Sequence, residues 1–427
     1  MKILMFGWEF PPSISGGLGT ACHGLTLGMS QLGSEIAFVL PRIDDPSEGK
    51  HLELIGANQV PIPKEPITET HSVFRTIEIP SPLRPYETPE SYRAAWEERV
   101  TAAHEAPAED EPRGLLEMGG DYSSDLFGEV HRYAIIGERL GKLESHDVVH
   151  AHDWMTFPAG IAAADASGKP LVVHVHATEF DRSGEHVNQG IYDIERLGVQ
   201  RADRVIAVSE RTRRTLIDRY GADPAKVRVV HNAVTKDKRV ERNDIERPLK
   251  EKVVLFLGRV TMQKGPDYFV EAAAKVLERV RNVRFVMAGS GDMLPRMIER
   301  AAALRITNHF HFTGFLKGEE VDRMFAQSDL YVFPSVSEPF GITPFEAIKH
   351  DVPVILSKQT GVAETLPNAV QVDFWDIDCL VDAIVELLTE QDKAQQLVQQ
   401  HRRDLESVDW SRAAERVLEV YGEVTKS

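Results

Sequence analysis

The stretch SEPFGITPFE, residues 337–346, places two carboxylates, Glu338 and Glu346, at either end of a short loop containing glycine, threonine and proline. Thr343, Pro344 and Glu346 have the spacing of a capping box: threonine before the helix, proline in its first turn, and a glutamate reaching back to the threonine amide. That accounts for Glu346 but not for Glu338, which precedes the helix on the loop. The amides of Gly341, Ile342 and Thr343 would then form a helix start suited to an anion. A second loop, GRVTMQKGP (258–266), follows an apolar run and carries Arg259 and Lys264 five residues apart. Basic residues are common in exposed loops. Two in one tight loop of an acidic chain also suit a diphosphate, since arginine can clamp two oxygens while lysine delivers a point charge.

Other strand ends carry small or polar residues. In ISGGLGT (14–20), Gly16, Gly17 and Gly19 would let backbone approach a ligand closely at the start of a helix, although a plain tight turn has the same composition. The spacing is not GxGxxG, and no GxxxxGK[ST] occurs, which argues against standard dinucleotide and phosphate-loop folds. AGSGDM, with Gly289, and FTGFL, with Gly314 and Phe315, leave room for a base and ribose. His150/His152 and His174/His176 form two His-x-His pairs on neighbouring candidate strands. Residues two apart share a strand face, so four imidazoles could in principle hold a metal. No other ligand type is arranged with them, and the expectation is hydrogen-bonded buried histidines with no metal. Asp153, His176 and Arg182 read as polar residues lining a cleft. Asp376 and Asp378 precede the apolar helix CLVDAIVELL, where a helix cap is expected rather than a metal-binding DxD.

These positions require a scaffold that brings loop ends together. Short apolar runs alternate with helical patterns throughout: KILMF, EIAFVL, DVVHAH, LVVHVH, RVIAVS and VRVVHN, then VVLFL, VRFVMAG, HFHFTGF, DLYVFPS and PVILS. Strands apolar on both faces and separated by helices imply doubly wound parallel sheets. KILMFGWEFPPSISGGLG and KVVLFLGRVTMQKGPDYF repeat one plan: buried strand, glycine-bearing loop, amphipathic helix. The helical stripes are Ala21, Leu25, Met29 and Leu32 in the first copy, and Phe269, Ala272, Ala273, Val276, Leu277 and Val280 in the second. Two Rossmann-like domains follow, residues 1–245 and 246–407, with the charged segment TKDKRVERNDIERPLKEK between them. The final helix, 408–427, has no strand after it and must pack on something already built. Residues 84–125 are acid-rich and interrupt the alternation, as a solvated insertion or a lid would.

Composition agrees with a globular enzyme-sized chain: 427 residues, 42% hydrophobic and 27% charged, with a formal charge of −17. That charge disfavours nucleic acid and anionic lipid as partners, so an anionic ligand needs a local basic site. Two widely separated cysteines suggest a reducing compartment. The N-terminal apolar stretch is too short for a secretion signal and no run is long enough to span a membrane, so a cytoplasmic protein is expected.

The motif set GGLG, HAHDW, VHATEFDR, HNAV, GRVTMQKG, GSGD, TGFL and the E-x7-E of Glu338 and Glu346 resembles retaining glycosyltransferases of the GT-B type, close to glycogen and starch synthases. The resemblance covers nearly the whole chain. It implies a nucleotide-sugar donor, UDP- or ADP-linked, lying between the two domains, with the last helix crossing back onto the first. It implies that Arg259 and Lys264 hold the diphosphate, supported by Gly17, Gly19 and the Gly341–Thr343 amides. Gly289 and Phe315 would lie on the donor side, and Glu346 would grip the ribose, a role that competes with the capping box. His176 and Glu338 would flank the sugar, with Asp153 nearby, and Asp153 and Arg182 would lie on the acceptor side. No cofactor or metal is implied, and the acceptor would be a carbohydrate such as glycogen. Two departures bear on specificity. Ser13-Ile14-Ser15 stands where starch-synthase-type enzymes usually carry a lysine before Gly-Gly, and Met155 stands where many read HDWH. Transfer to a small or cell-envelope acceptor, a nucleotide-sugar epimerase of similar architecture, and a non-catalytic nucleotide-sugar sensor are the other readings.

Overall fold

A computed structural model describes residues 1–11, 17–43, 51–60, 125–235 and 251–425. The connecting segment 236–250 and the acid-rich insertion up to residue 124 lie outside the described residues, as does Gly16.

The first sheet has seven strands: β1 (Lys2–Phe6), β2 (Glu35–Leu40), β3 (Glu53–Gly56), β4 (Val148–His152), β5 (Leu171–Val175), β6 (Arg204–Ala207) and β7 (Val227–Val229). The second has six: β8 (Lys252–Leu257), β9 (Val283–Ala288), β10 (Phe310–Gly314), β11 (Leu330–Phe333), β12 (Val354–Ser357) and β13 (Val370–Val372). The orders are β3-β2-β1-β4-β5-β6-β7 and β10-β9-β8-β11-β12-β13, and every pairing within them is parallel. Central strands such as β4 and β5 are buried along their whole length, which is why they read as continuous apolar runs. The short edge strands β3 (ELIG) and β13 (VQV) went unread in the sequence because they carry half-buried and polar residues and no apolar run.

Among the described residues, thirteen helices flank the sheets: α1 (Gly17–Gln31), α2 (Leu126–Leu143), α3 (Phe157–Ser167), α4 (Glu179–Ser183), α5 (Gln189–Arg201), α6 (Glu210–Tyr220), α7 (Pro266–Arg279), α8 (Leu294–Ala303), α9 (Glu319–Gln327), α10 (Thr343–Lys349), α11 (Ile377–Thr389), α12 (Gln391–Glu406) and α13 (Trp410–Thr425). Ala21, Leu25 and Met29 form the buried stripe of α1, but Leu32 lies beyond the helix end and is 43% exposed. In α7, Phe269, Ala272, Ala273 and Val276 are buried, and Val280 is already the extended C-cap residue. No described helix is long and apolar enough to cross a membrane.

The last helix, α13, crosses back onto the first sheet's domain and packs on α1. Gly24 and Gly28 permit this approach. A Cβ on Gly24 would come within 2.3 Å of the Trp410 ring, and one on Gly28 within 2.7 Å of the Trp410 carbonyl oxygen. Farther along, the Tyr421 hydroxyl meets His150 Nδ1 at 2.5 Å, while Glu423 accepts from Arg204 at 2.7 Å and Arg228 at 2.8 Å. Val417, Val420 and Tyr421 join a core that continues through α1 to residues of the second sheet.

Candidate active site

In both sheets the strand order reverses beside the first strand, between β1 and β4 and between β8 and β11. Ligands of open parallel sheets bind outside the carboxyl ends of the strands at such reversals. The loops leaving β4, β8 and β11 carry Asp153, Arg259 with Lys264, and Glu338; His176 follows β5, the next strand over.

On the second-sheet side the two key loops are tied together. The Gln263 carbonyl accepts the Val336 amide at 2.9 Å, and a Cβ on Gly265 would meet the Pro334 carbonyl at 2.2 Å. Lys264 and Glu338 form an ion pair, with their side chains 17% and 11% exposed. The Lys264 ammonium also lies 5.2 Å from the centre of the Phe333 ring. Glu338 is held from behind: its amide donates to the Gln359 carbonyl at 3.1 Å, and its carbonyl accepts from Gly361 at 2.9 Å. Gly341 turns the loop at φ +96°, where a side chain would strike Phe333 and the Glu338 methylenes, so glycine is required there. Arg259 sits at the exposed rim and donates to Gln263 Oε1 at 3.3 Å.

Other expected donor-side residues have structural duties of their own. Gly289 (φ +143°) passes so close to Gly258 that a Cβ would overlap the Gly258 carbonyl oxygen at 1.8 Å. Phe315 is 60% exposed just past β10. Gly17 opens α1 on the surface, and Gly19 is buried in its first turn. The capping box does not form. Helix α10 has Ile342 at its N-cap with no side-chain cap, and the Thr343 hydroxyl lies 2.8 Å from that of Tyr331. Tyr331, within β11 (Leu330–Phe333), takes the threonine hydroxyl instead. Ile342 and Thr343 are both partly exposed there. Asp376 does cap α11, accepting the Cys379 amide at 3.0 Å, as expected.

On the first-sheet side, Asp153 adopts φ +59°, a conformation aspartate tolerates better than most residues. Its Oδ1 accepts the amides of His176 at 2.6 Å and Ala177 at 3.3 Å. Burial pushes this carboxyl up to about 7, against the pull of Arg182 and those two amides. His176 Nε2 lies 2.9 Å from His152 Nδ1, and burial lowers the His176 pKa to about 3, so it presents a neutral imidazole. Arg182 is committed elsewhere: its guanidinium pairs with Glu179 and Glu195 and donates to the Ala177 carbonyl. It therefore braces the turn after His176, an orientation the motif alone did not reveal.

The two sides meet. Ser337 Oγ, next to Glu338, donates to Asp181 Oδ1 at 2.8 Å and accepts from Arg211 at 3.0 Å. Ser209 Oγ donates to the Pro339 carbonyl at 2.6 Å. Glu364 reaches across to accept the Glu210 and Arg211 amides at the start of α6 and pairs with His231 at 2.9 Å. Ser337, Asp181 and Glu364 were not among the residues expected from the sequence. Only Asp181 carried a readable signal, the Thr-x-x-Asp spacing of the capping box that opens α4.

Two sequence families match in tandem: Glycosyltransferase Family 4 over residues 121–238 and Glycosyl transferases group 1 over residues 237–404. The α-maltose-1-phosphate synthase of Mycolicibacterium smegmatis is 30% identical over 67% of this chain and 81% of its own length. The chain belongs to the GT-B glycosyltransferases of group 1. The glycogen synthase of Mycobacterium tuberculosis is 26% identical over 99% of this chain and 94% of its own. Anabaena HepE in complex with UDP and glucose shares the fold of this glycosyltransferase, with TM-score 0.65 and 17% identity over 99% of this chain and all of that one.

One titration in this glycosyltransferase has a measurable consequence. Glu346, half-buried on α10, has its pKa raised from 4.5 to about 7 by burial, with Asp322 adding and Lys349 opposing. The native state therefore binds this proton more tightly than the unfolded chain. Between pH 4.5 and 7 native stability falls as pH rises; below that window the group contributes nothing, and above it the loss is complete. Glu346→Gln removes the effect. Urea unfolding at pH 4.5 and 8 should show the variant gaining on the parent by up to about 3 kcal/mol at the higher pH. A pH-independent difference would contradict the raised pKa.

Proposed function

We propose that the protein moves a hexose, glucose in the first instance, from a nucleotide-diphosphate sugar to a carbohydrate acceptor with retention at the anomeric carbon, and that the acceptor is an α-glucan such as glycogen. The observation that carries this reading is the Ser337–Asp181 hydrogen bond across the seam, which ties the loop bearing Glu338 and facing Lys264 to the turn that follows His176. A sugar held there would have its leaving diphosphate toward the second sheet and its ring toward the first.

As the bond from the anomeric carbon to the diphosphate oxygen breaks, the electron pair leaves with the diphosphate and positive charge grows on the sugar. Lys264 and Arg259 supply fixed positive charge to the departing group, with the amides at the start of α10, and this preorganised charge requires no divalent ion for leaving-group stabilisation. The acceptor hydroxyl attacks the face the diphosphate leaves and gives its proton to a diphosphate oxygen, which preserves configuration. Glu338 stabilises the charged sugar, neutral His176 hydrogen-bonds a sugar hydroxyl, and Glu346 binds the ribose. Asp153 and Arg182 hold the His176 turn in place rather than touching acceptor.

A second reading is transfer to a small phosphorylated acceptor, favoured by the likeness to the α-maltose-1-phosphate synthase relative; the absence of lysine before Gly-Gly weakens the glucan reading. Incubation with UDP- and ADP-glucose, with glycogen or glucose 1-phosphate and without added Mg²⁺ or Mn²⁺, separates these readings. Nucleotide release dependent on glycogen, with an α-linked product, is the expected result. Release only with the phosphorylated sugar selects the second reading. Isomerised donor would instead show an epimerase, and binding without turnover a sensor.

A further inference from the structure

Below the cleft, β4 and β5 pair in register with His152 opposite His174, so positions 150, 152, 174 and 176 place four imidazoles together. His150, His152 and His174 are 0%, 0% and 2% exposed, with ring centroids 4.4 Å (150 to 152), 5.2 Å (152 to 174) and 5.5 Å (150 to 174) apart. His150 Nε2, His152 Nε2 and both nitrogens of His174 are buried without a hydrogen-bond partner. Each such orphan costs about 1–3 kcal/mol, so four in one place are hard to reconcile with a merely packed core. His401, in α12, is equally buried with two orphan nitrogens, but it belongs to no group of neighbouring ligands among the described residues.

We propose that His150, His152 and His174 bind a divalent transition-metal ion, Zn²⁺ by the chemistry of the donor set, beneath the cleft. Imidazole suits zinc and its neighbours rather than Mg²⁺ or Ca²⁺, and no carboxylate belongs to this donor group. The rings are oriented as ligands are. His150 has its Nδ1 against the Tyr421 hydroxyl and His152 its Nδ1 against His176, so a proton on each Nδ1 leaves both Nε2 lone pairs free. Candidate ligand atoms of the three residues lie within 4.8 Å of one another. An ion centred in a triangle of that edge would be about 2.8 Å from each nitrogen. Closing to the ~2.0–2.1 Å of a zinc–nitrogen bond asks each ring to swing by about 0.7 Å at most. Cys22, buried in α1, groups with His152 and His176 rather than with His150 and His174, so water completes the coordination. This ion is distinct from any metal on the diphosphate and acts on the site by fixing His152, against which His176 rests.

The test uses the full chain, purified from zinc-supplemented cells and analysed for metal after dialysis, then stripped and titrated with Co²⁺. About one zinc per chain, tetrahedral Co²⁺ absorption bands and a higher melting temperature with Zn²⁺ are expected. His174→Gln should weaken binding at least about 100-fold, Tyr421→Phe about 10- to 100-fold as loss of an orienting partner, and His401→Gln not at all. Absent cobalt bands together with zinc-free wild-type protein overturn the proposal even if His174→Gln fails to fold. Undiminished zinc in a folded His174→Gln overturns it too.

Discussion

Lys264→Ala lowers kcat at least about 100-fold, the scale of losing one preorganised charge contact to a developing anion, and lowers donor affinity less. The asymmetry arises because the bound diphosphate is already charged and solvated in part, whereas the additional charge appears only as the sugar departs. The ammonium is paired with Glu338, both side chains being mostly buried. On the proposed reading, an incoming diphosphate competes for that lysine and releases the glutamate toward the sugar. The alanine variant consequently loses stability as well, because Glu338 is left as a nearly buried carboxylate without its partner. Adding Glu338→Gln should restore the lost stability, because no buried charge is then left without a partner. Near-normal kcat in a folded Lys264→Ala, measured as acceptor-dependent nucleotide release, would remove the residue from the reaction.

The second large effect falls on Glu338. Glu338→Ala is expected to reduce kcat by at least about 100-fold, and Glu338→Gln, which keeps the shape and loses the charge, should recover little if the carboxylate faces positive charge on the sugar. Azide distinguishes how it acts. A glutamate that forms a covalent glycosyl intermediate leaves a gap in the alanine variant that azide fills, giving a glycosyl azide of inverted configuration. Departure and attack on one face predict no azide product. Rescue by azide would replace the same-face scheme with the covalent one, while full activity in both variants would reject Glu338 as a participant.

Much of the architecture was legible because burial on both faces leaves a plain mark. ILMF (3–6) and VVLFL (253–257) are unbroken apolar runs and proved to lie in the strands beside each reversal of strand order. The loops after them were marked by glycine and charge standing immediately after an apolar run, a pattern that plain tight turns and exposed loops share. Side-chain alliances were not legible, because they depend on which elements become neighbours. Thr343 and Glu346 had ideal cap spacing, yet Tyr331, twelve residues earlier, is brought under the helix by the sheet and takes the threonine hydroxyl. Arg182 looked available to an acceptor until the fold set Glu195 of α5 beside it. Ser337 gained meaning only when Asp181 arrived from the other domain. Sequence patterns record what a residue does within its own element, and such contacts between distant elements leave no spacing to read.

The groove over Gly24 and Gly28 is filled by a 16-residue helix whose first residue is Trp410. During synthesis the last strand of the opening lobe, ending at Val229, emerges well ahead of the helix from Trp410 that seals it, and so the lobe must wait with an apolar trench uncovered while the closing lobe is made. The order of translation and the order of completion are therefore reversed: the half made first is the half finished last.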